Sequence, residues 1–289
     1  MVNIEVKGHS GCNIEVVREG RDLFVVKSSE DPKYLDRLVL QARKQQHASL
    51  PEYQHIRVPK VHEINRSENR VDVKMDYVYS RNFVEYFEHA GFEQVDYLIG
   101  ALIMYLEKEI QVSPLTKVAR NVVTDKFDDV CSKTRANVHL HDDPEVESIL
   151  EVSEKVFAGL TDMYIPVGTC HGDLTFSNIL FNGNNYYLID FLDSFIESPL
   201  LDIVKLRQDT AWLWSQLMYV NPCDEIRLRI AFCKIDRELD AHFRQRHQWY
   251  GRYYKTFQLM NFLRILQYAH EPKVIAYLKR TLHEQLKEF

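Results

Sequence analysis

Two short polar segments past the middle of the chain constrain its fold more than any other feature. The first contains Asp173 and Asn178, and the second contains Asp190. Between them, residues 181–186 carry hydrophobic side chains around an Asn-Gly pair, which predicts a β-hairpin because both residues tolerate the positive φ of a tight turn. The hairpin would fold the chain back and bring the three side chains together. Carboxylate and carboxamide oxygens are ligands that Mg²⁺ prefers, so the sequence predicts a magnesium site here.

The composition is that of an ordinary globular protein. The 289 residues are 45% hydrophobic and 27% charged, which allows a full core in one large domain or two lobes. The formal net charge of −6 argues against a general nucleic-acid or anionic-membrane partner, because both favour a basic face. The longest hydrophobic run, Tyr97 to Leu106, is too short to span a bilayer, and Met1 to Lys7 lack the hydrophobic core of a signal peptide.

The cysteines indicate a reducing compartment. There are five of them, widely spaced and without a Cys-x-x-Cys pair. This pattern favours neither a disulfide framework nor a zinc site. We therefore expect reduced thiols in a cytoplasmic protein.

The first 76 residues are predicted to be mainly β-structure. Lys27 ends a hydrophobic run, where a lysine is either a solvating charge on an edge strand or a phosphate ligand. The glycine pair in Gly8 to Gly11 fits a plain turn, or a loop whose N–H groups approach a phosphate. Asp31 is expected to cap the following helix. The predicted elements are strands at 13–17, 23–26, 60–65 and 70–76, and a helix at 33–48.

From Met75 to Tyr79 the pattern changes to helix, which places a candidate boundary near residue 77. Apart from the hairpin, the rest of the chain is predicted to be helical, with a polar loop at 132–143. The predicted helices cover residues 94–110, 118–130, 144–160, 198–207, 210–219, 224–243, 249–270 and 273 to the end.

The two polar segments also form a pair of motifs. His171-Gly172-Asp173 is followed by Asn178, and Ile189-Asp190-Phe191 begins eleven residues after Asn178. This arrangement resembles the aminoglycoside phosphotransferase / choline kinase family. The resemblance implies an α+β, protein-kinase-like fold of two lobes: a small β-rich nucleotide-binding lobe at 1–77, and a larger, mainly helical, catalytic and substrate-binding lobe at 78–289.

The resemblance further implies roles for individual side chains. Asp173 would orient the acceptor hydroxyl and accept its proton, which suits a carboxylate that is ionised at neutral pH. Asn178 and Asp190 would ligate Mg²⁺. His171 would brace the catalytic loop rather than act as a base, and Asp202 would be a buried brace that accepts backbone N–H bonds.

For the nucleotide, the same resemblance points to the N-terminal part of the chain. Lys27 would hold the α- and β-phosphates, and Ser10 and Gly11 would lie in the loop that covers them. The carbonyl of Asp76 and the N–H of Val78 would bond the purine edge of ATP or GTP, which backbone groups alone do not distinguish.

One position departs from the family pattern. The family lysine pairs with a glutamate on a helix, but the predicted helix at 33–48 contains none. Gln41 matches that position best and could accept a hydrogen bond from the ammonium group. Glu30 and Asp36 are the alternative acidic partners of Lys27.

The acceptor site is the least determined by sequence. Asp193 is equally compatible with a metal or substrate contact and with a carboxylate in solvent. Trp249 and Tyr253 belong to an aromatic set that could box a quaternary ammonium group, although such residues more often form a helical core. Acidic and basic residues alternate along the C-terminal helices, which fits a neutral or anionic acceptor at least as well as a polycation.

The sequence therefore predicts a small-molecule kinase that transfers the γ-phosphoryl group of ATP or GTP to a hydroxyl group of a sugar, an amino alcohol or a similar metabolite. A protein kinase is disfavoured, because only eleven residues separate Asp190 from Asp202 and Ala-Pro-Glu is absent. A nucleotide-binding pseudokinase or regulatory protein of the same fold, and an aminoglycoside phosphotransferase, are the alternatives. The sequence does not indicate an oligomeric state.

Overall fold

The computed structural model describes residues 12–49 and 53–289. Ser10 and Gly11, predicted to cover the nucleotide phosphates, lie outside these residues. The strands of the described part are β1 (Asn13–Glu19), β2 (Asp22–Ser29), β3 (Ile56–Arg57), β4 (Val61–Arg66), β5 (Val71–Asp76), β6 (Leu115–Val118), β7 (Met163–Pro166), β8 (Ile179–Asn182) and β9 (Asn185–Leu188).

The helices of the described part are most extensive towards the C-terminus. They are α1 (Leu35–Ala48), α2 (Phe83–His89), α3 (Phe92–Val112), α4 (Arg120–Ala136), α5 (Pro144–Ala158), α6 (Pro199–Thr210), α7 (Trp214–Met218), α8 (Glu225–Arg246), α9 (Gln248–Leu266) and α10 (Pro272–Leu286). Among the described residues, no helix has both the length and the hydrophobicity needed to cross a bilayer. The predicted α+β class is confirmed.

Two compact units divide the chain, each built from several segments. Unit 1 comprises Met1–Glu107, His171–Ser194 and Cys223–Ala231, and unit 2 comprises the remaining segments, Lys108–Cys170, Phe195–Pro222 and Phe232–Phe289.

A four-stranded antiparallel sheet in the order β1-β2-β5-β4 forms the first part of unit 1. Helix α1 packs against it, since Leu35, Leu38 and Ala42 share a buried cluster with Val71 and Val73. The i, i+3, i+7 spacing of the helical members gives α1 one hydrophobic face. This packing fixes α1 against β4 and β5, and β5 pairs with β2, the strand that carries Lys27.

The predicted hairpin is present in unit 1 as β8 and β9, which pair antiparallel from Ile179 opposite Leu188 to Asn182 opposite Asn185. Its two-residue turn is Gly183-Asn184, one residue later than the predicted Asn-Gly turn. The positive φ of 57° falls on Gly183, where the absence of a side chain makes it inexpensive. Strand β3 extends this pair to a small three-stranded sheet.

Unit 2 is built around α9, which packs against α6 and α10. Its aromatic side chains Tyr250, Phe257 and Phe262 are almost completely buried. A helix with buried residues on all sides lies inside a domain rather than on its surface. The two-stranded sheet β6-β7 also belongs to this unit.

Several predicted boundaries are wrong in detail. Strands β6 and β7 and helix α2 were not predicted, and α4 continues through residues 132–136, which were predicted to be a loop. The predicted helix at 210–219 is instead the end of α6 followed by the short α7. Asp31 does not cap α1, which begins only at Leu35; its carboxylate instead accepts the N–H of Lys33.

Helix α5 shows a capping arrangement whose contribution can be measured. The Asp143 carboxylate accepts the N–H groups of Glu145 at 3.0 Å and Val146 at 3.2 Å, and Lys279 forms an ion pair with it. Burial alone would raise the pKa of Asp143, but the hydrogen bonds from Lys279 and from the backbone outweigh it and lower the pKa.

We expect Asp143→Ala to lower the free energy of unfolding by about 1–2 kcal/mol, because it removes both the cap and the ion pair. Asp143→Asn keeps a capping oxygen and loses only the charge, so its loss should be smaller. The difference between wild type and Asp143→Asn should shrink as the pH falls through the lowered pKa of Asp143. Urea unfolding at several pH values measures this, and equal losses in both variants would contradict a role for the cap.

Candidate active site

Three hydrogen bonds tie the two polar segments of unit 1 together. The Ile189 N–H donates to the Asn178 carbonyl at 3.0 Å, and the Leu192 N–H donates to the His171 carbonyl at 3.0 Å. The third joins the ring Nε2 of His171 to the Ile189 carbonyl at 2.8 Å. The segment with Asp173 and the segment with Asp190 are therefore held as one framework.

His171 is fully buried, and its hydrogen bonds define its protonation. The Asp173 N–H donates to Nδ1 at 3.2 Å, so Nε2 carries the proton that is donated to Ile189. Burial lowers the pKa of His171 to about 4, and the ring is neutral at pH 7. Its ring also packs on Phe191, with centroids 4.2 Å apart.

Gly172 allows the two segments to approach closely. Its φ is +90°, a conformation that side chains rarely adopt. A Cβ at this position would lie 2.0 Å from the carbonyl oxygen of Leu192. Any other residue here would push apart the segments that carry Asp173 and Asp190.

Asn178 orients Asp173. Its carboxamide nitrogen donates to the Asp173 carbonyl at 2.8 Å and to Asp173 Oδ2 at 3.0 Å. Because both amide hydrogens point at Asp173, the Oδ1 atom of Asn178 is the atom of this carboxamide that could bind a metal. The Asn178 side chain thus orients the Asp173 carboxylate and leaves its own Oδ1 available as a metal ligand.

Asp190 forms an ion pair with Lys27 across 163 positions of sequence, with Nζ and Oδ1 2.8 Å apart. The φ of Asp190 is +59°, which is uncommon for a residue with a side chain and is typical of functional loops. Lys27 is buried, and although burial alone would lower its pKa, the charge of and hydrogen bond to Asp190 raise the pKa above its usual value. The lysine is therefore a fixed positive charge.

The expected partners of Lys27 are occupied elsewhere. Gln41 Oε1 accepts a hydrogen bond from the Tyr34 hydroxyl at 2.9 Å rather than from the lysine. The alternative acids are also paired at the surface, Glu30 with Arg70 and Asp36 with Arg66. Neither Glu30 nor Asp36 thus replaces the missing helix glutamate, and Lys27 pairs with Asp190 instead.

Two basic residues of α1 that the sequence did not suggest contact the segment after Asp190. Arg37 Nε donates to Asp193 Oδ1 at 3.0 Å, and Lys44 Nζ donates to the Leu192 carbonyl at 2.6 Å. With Gln41 they follow the i, i+4, i+7 spacing of one helix face, the pattern that could have identified them. Burial alone would raise the pKa of Asp193, but the Arg37 charge outweighs it and lowers the pKa.

The predicted purine-binding residues lie at the end of β5. The Asp76 N–H donates to the Lys60 carbonyl at 3.0 Å. Its carboxylate accepts the Lys60 N–H at 3.1 Å and lies 2.6 Å from His62 Nε2. Val78 is half-buried and follows two positions after the strand.

The other predicted residues belong to unit 2. Asp202 is fully buried in the first turn of α6. Tyr253 is buried on α9, in agreement with a core role. Trp249 is half-buried, and its ring stacks on His247 with centroids 5.1 Å apart.

The donor set at the two segments fits Mg²⁺. Asp190 offers carboxylate oxygens, with its side chain 44% exposed, and Asn178 offers a carboxamide oxygen. One or two protein oxygens completed by substrate phosphates is how proteins commonly hold Mg²⁺. Within 12–49 and 53–289, no group of three or more His, Cys, Asp or Glu side chains could hold a metal ion.

A family comparison decides the classification. The profile of the Phosphotransferase enzyme family (APH) matches residues 16–221, well over half of the chain. The chain belongs to this family. The motif resemblance is confirmed, and the protein is a kinase-like phosphotransferase. No curated protein sequence matches it.

Solved structures similar to this APH-family chain have the same fold. The amicoumacin kinase hAmiN, in complex with AMP-PNP, Ca²⁺ and Ami, aligns with a TM-score of 0.60 and 12% identity, over 99% of this chain and 88% of its own. The GDP and kanamycin complex of APH(2")-IIia gives a TM-score of 0.58 and 17% identity, over 95% and 93%. An aminoglycoside-3'-phosphotransferase of type VIII aligns with a TM-score of 0.51 and 16% identity, over 98% of this chain and 92% of its own. The predicted protein-kinase-like fold is confirmed.

The buried, neutral His171 should make the stability of this APH-family protein depend on pH. Its pKa rises from about 4 in the folded state to about 6.5 in the unfolded state, so protons bind the unfolded chain first. We expect the free energy of unfolding to fall by up to about 3 kcal/mol as the pH drops from 6.5 towards 4. Urea unfolding of wild type and His171→Gln measures this contribution, which should be missing from the variant. The exposed His139→Gln is the matched control and should behave as wild type.

Proposed function

We propose that this phosphotransferase moves the γ-phosphoryl group of ATP or GTP to a hydroxyl group of a small molecule, with Asp173 at the centre of the chemistry. The observation that carries the proposal is the double hydrogen bond from Asn178 to Asp173 within a framework that also holds Asp190. A carboxylate held in one orientation is suited to positioning a hydroxyl nucleophile.

Asp173 would accept a hydrogen bond from the acceptor hydroxyl and take its proton as the oxygen attacks the phosphorus. Its half-buried position between neutral His171 and the Asn178 carboxamide supports this role. His171 would act only through the loop that it braces, because a ring with a pKa of about 4 and a buried Nε2–H is not placed to take a proton from substrate. Asp202 would likewise be a structural brace.

Lys27, Asp190 and Asn178 would bind the triphosphate end of the nucleotide. The raised pKa of Lys27 keeps its charge available for the α- and β-phosphate oxygens. Asp190 and Asn178 would hold Mg²⁺, which when bound neutralises phosphate charge. Arg37 and Lys44 would position Asp190 by holding the segment that follows it.

The base of the nucleotide would bond the backbone at Asp76 and Val78, so either purine is compatible with the proposal. One structural neighbour was solved with AMP-PNP and another with GDP. The proposed boundary near residue 77 would then fall between the two backbone contacts to the base.

The acceptor is proposed to be a sugar, an amino alcohol or another small metabolite in the cytoplasm. The neighbours' bound antibiotics, kanamycin and Ami, belong to proteins with at most 17% identity to this chain, which is a likeness of fold. In unit 2, many acidic side chains form ion pairs with basic ones, for example Asp236 with Arg207 and Glu238 with Lys234. Such pairing offsets part of the negative charge that would attract a polycation.

Replacing Asp173 tests the proposed chemistry. We expect Asp173→Ala to lower kcat by about 10²–10⁴-fold, the contribution of a positioned general base, and to leave nucleotide binding largely intact. Single-turnover phosphoryl transfer to a panel of hydroxyl acceptors measures the loss of rate. Titration with a fluorescent nucleotide measures nucleotide binding. Asp36→Asn, an exposed α1 carboxylate paired with Arg66, is the control. Turnover near that of wild type in Asp173→Ala would remove Asp173 from the mechanism.

Asp190 and Lys27 can be separated by their metal dependence. Asp190→Asn should weaken nucleotide binding chiefly by reducing its dependence on Mg²⁺, because it removes a charged metal ligand. Lys27→Met should weaken nucleotide binding at every Mg²⁺ concentration, because it removes a phosphate contact. Nucleotide dissociation constants across a Mg²⁺ series measure both. An Asp190→Asn variant with the metal dependence of wild type would place the metal elsewhere.

A further inference from the structure

Unit 2 contains a cavity that the proposed chemistry does not use. It has a volume of about 280 Å³ and is lined by side chains of α6, α8, α9 and α10 and by the residues next to them. Ligand pockets start at about 300 Å³, so its size suits a molecule no larger than a single sugar ring with its substituents.

Three side chains in the lining carry buried polar atoms without a hydrogen-bond partner. These atoms are the Nε2 of Gln258, both the Nε2 and Oε1 of Gln285, and the Nε1 of Trp212. Gln258 and Gln285 are only 4% and 7% exposed. A buried polar group without a partner destabilises the fold. All three side chains belong to the lining of one cavity, so a partner within it would satisfy them once their polar ends turn towards it.

The two amides can reach such a partner. The terminal torsion of a glutamine side chain is broad and close to two-fold, so turning the amide is inexpensive. Neither Nε2 nor Oε1 of Gln285 forms a hydrogen bond. The Gln258 amide forms one through Oε1, which accepts a hydrogen bond from the Tyr254 hydroxyl. Rotation would present these groups to a molecule in the cavity.

The charged side chains of the lining are already paired with one another. Asp240 pairs with both Arg207 and Arg244, and Lys255 pairs with Glu288. Arg207 is also held by Asp236 outside the cavity. A charged ligand would have to break one of these pairs, whereas an uncharged ligand would not.

The unpartnered atoms match hydroxyl groups. They comprise three donor nitrogens and one carbonyl oxygen that accepts, and a hydroxyl both accepts and donates. Adjacent hydroxyls on one ring therefore satisfy the set without introducing charge. The aromatic rings of Trp212 and Tyr254 add a hydrophobic surface for the C–H groups of that ring.

We propose that this cavity binds an uncharged polyol, such as a neutral monosaccharide or a cyclitol. The ligand contacts would be made by Gln258, Gln285 and Trp212. The proposal concerns binding alone and does not depend on phosphoryl transfer. The polyol is either the phosphoryl acceptor or a ligand that is not phosphorylated.

The test is binding to the full chain without nucleotide or metal. Saturation-transfer NMR and thermal shift are recorded with neutral hexoses and cyclitols, with the corresponding amino sugars and sugar acids, and with aminoglycosides. We expect at least one neutral polyol to bind and to raise Tm, and its charged counterparts to bind at least tenfold more weakly. Absence of binding by every neutral polyol, or tighter binding by a polycation, overturns the proposal.

Gln285→Leu and Gln258→Leu, singly and together, provide the decisive variants. Each should weaken polyol binding at least tenfold. The Tm of unliganded Gln285→Leu should stay the same or rise, because a buried amide without any partner is removed. Gln258→Leu also loses the hydrogen bond from the Tyr254 hydroxyl and should lower the Tm. A loss of binding accompanied by a large fall in Tm in all three variants would indicate a structural role only and would overturn the proposal. Gln267→Leu is the matched control, since Gln267 also has a buried, unpartnered Oε1 but does not line the cavity.

Two further measurements complete the test. A crystal soaked in the binding polyol should show it against Gln258 and Gln285, and ordered water alone in the cavity would overturn the proposal. Transfer of phosphate from ATP to the bound polyol, lost in Gln285→Leu, identifies it as the acceptor. Binding without transfer identifies a separate ligand, and failure of phosphoryl transfer to every acceptor leaves the binding result unaffected.

Discussion

The hydrogen bond from the buried His171 ring to the Ile189 carbonyl is the side-chain contact that, with two backbone hydrogen bonds, holds the framework of the candidate site. It joins two segments that β8 and β9 bring near each other but that the hairpin alone does not hold. Because the ring is neutral and lies away from water, the bond is not weakened by competition with solvent. This bond helps to fix the positions of the segments that carry Asp173 and Asp190.

Around that contact, each neighbouring residue restricts the position of one part of the candidate site. Gly172 lets the segments approach, Asn178 fixes the carboxylate of Asp173, and the α1 face of Arg37 and Lys44 secures the chain after Asp190. The site is thus preorganised by backbone hydrogen bonds more than by charge. Preorganisation of this kind reduces the cost of ordering groups when substrate binds.

Sequence patterns predicted what depends on neighbours in the chain and missed what depends on distant partners. The hairpin was predictable because Gly183 favours the turn. Strands β6 and β7 were not, because each has four residues and they pair across more than forty positions. The expected partner of Lys27 was Gln41 by resemblance, with Glu30 and Asp36 as alternatives, whereas its ion pair is with Asp190, 163 positions away. Local patterns do not encode either feature.

The Lys27–Asp190 pair has an evolutionary consequence. Without a ligand, each charge compensates the other, so a substitution of one residue alone leaves the charge of the other without its partner. Losing both together leaves no such charge behind. Relatives that abandon phosphoryl transfer are therefore expected to change the two positions jointly, and a relative that keeps only one of them should be the less stable protein.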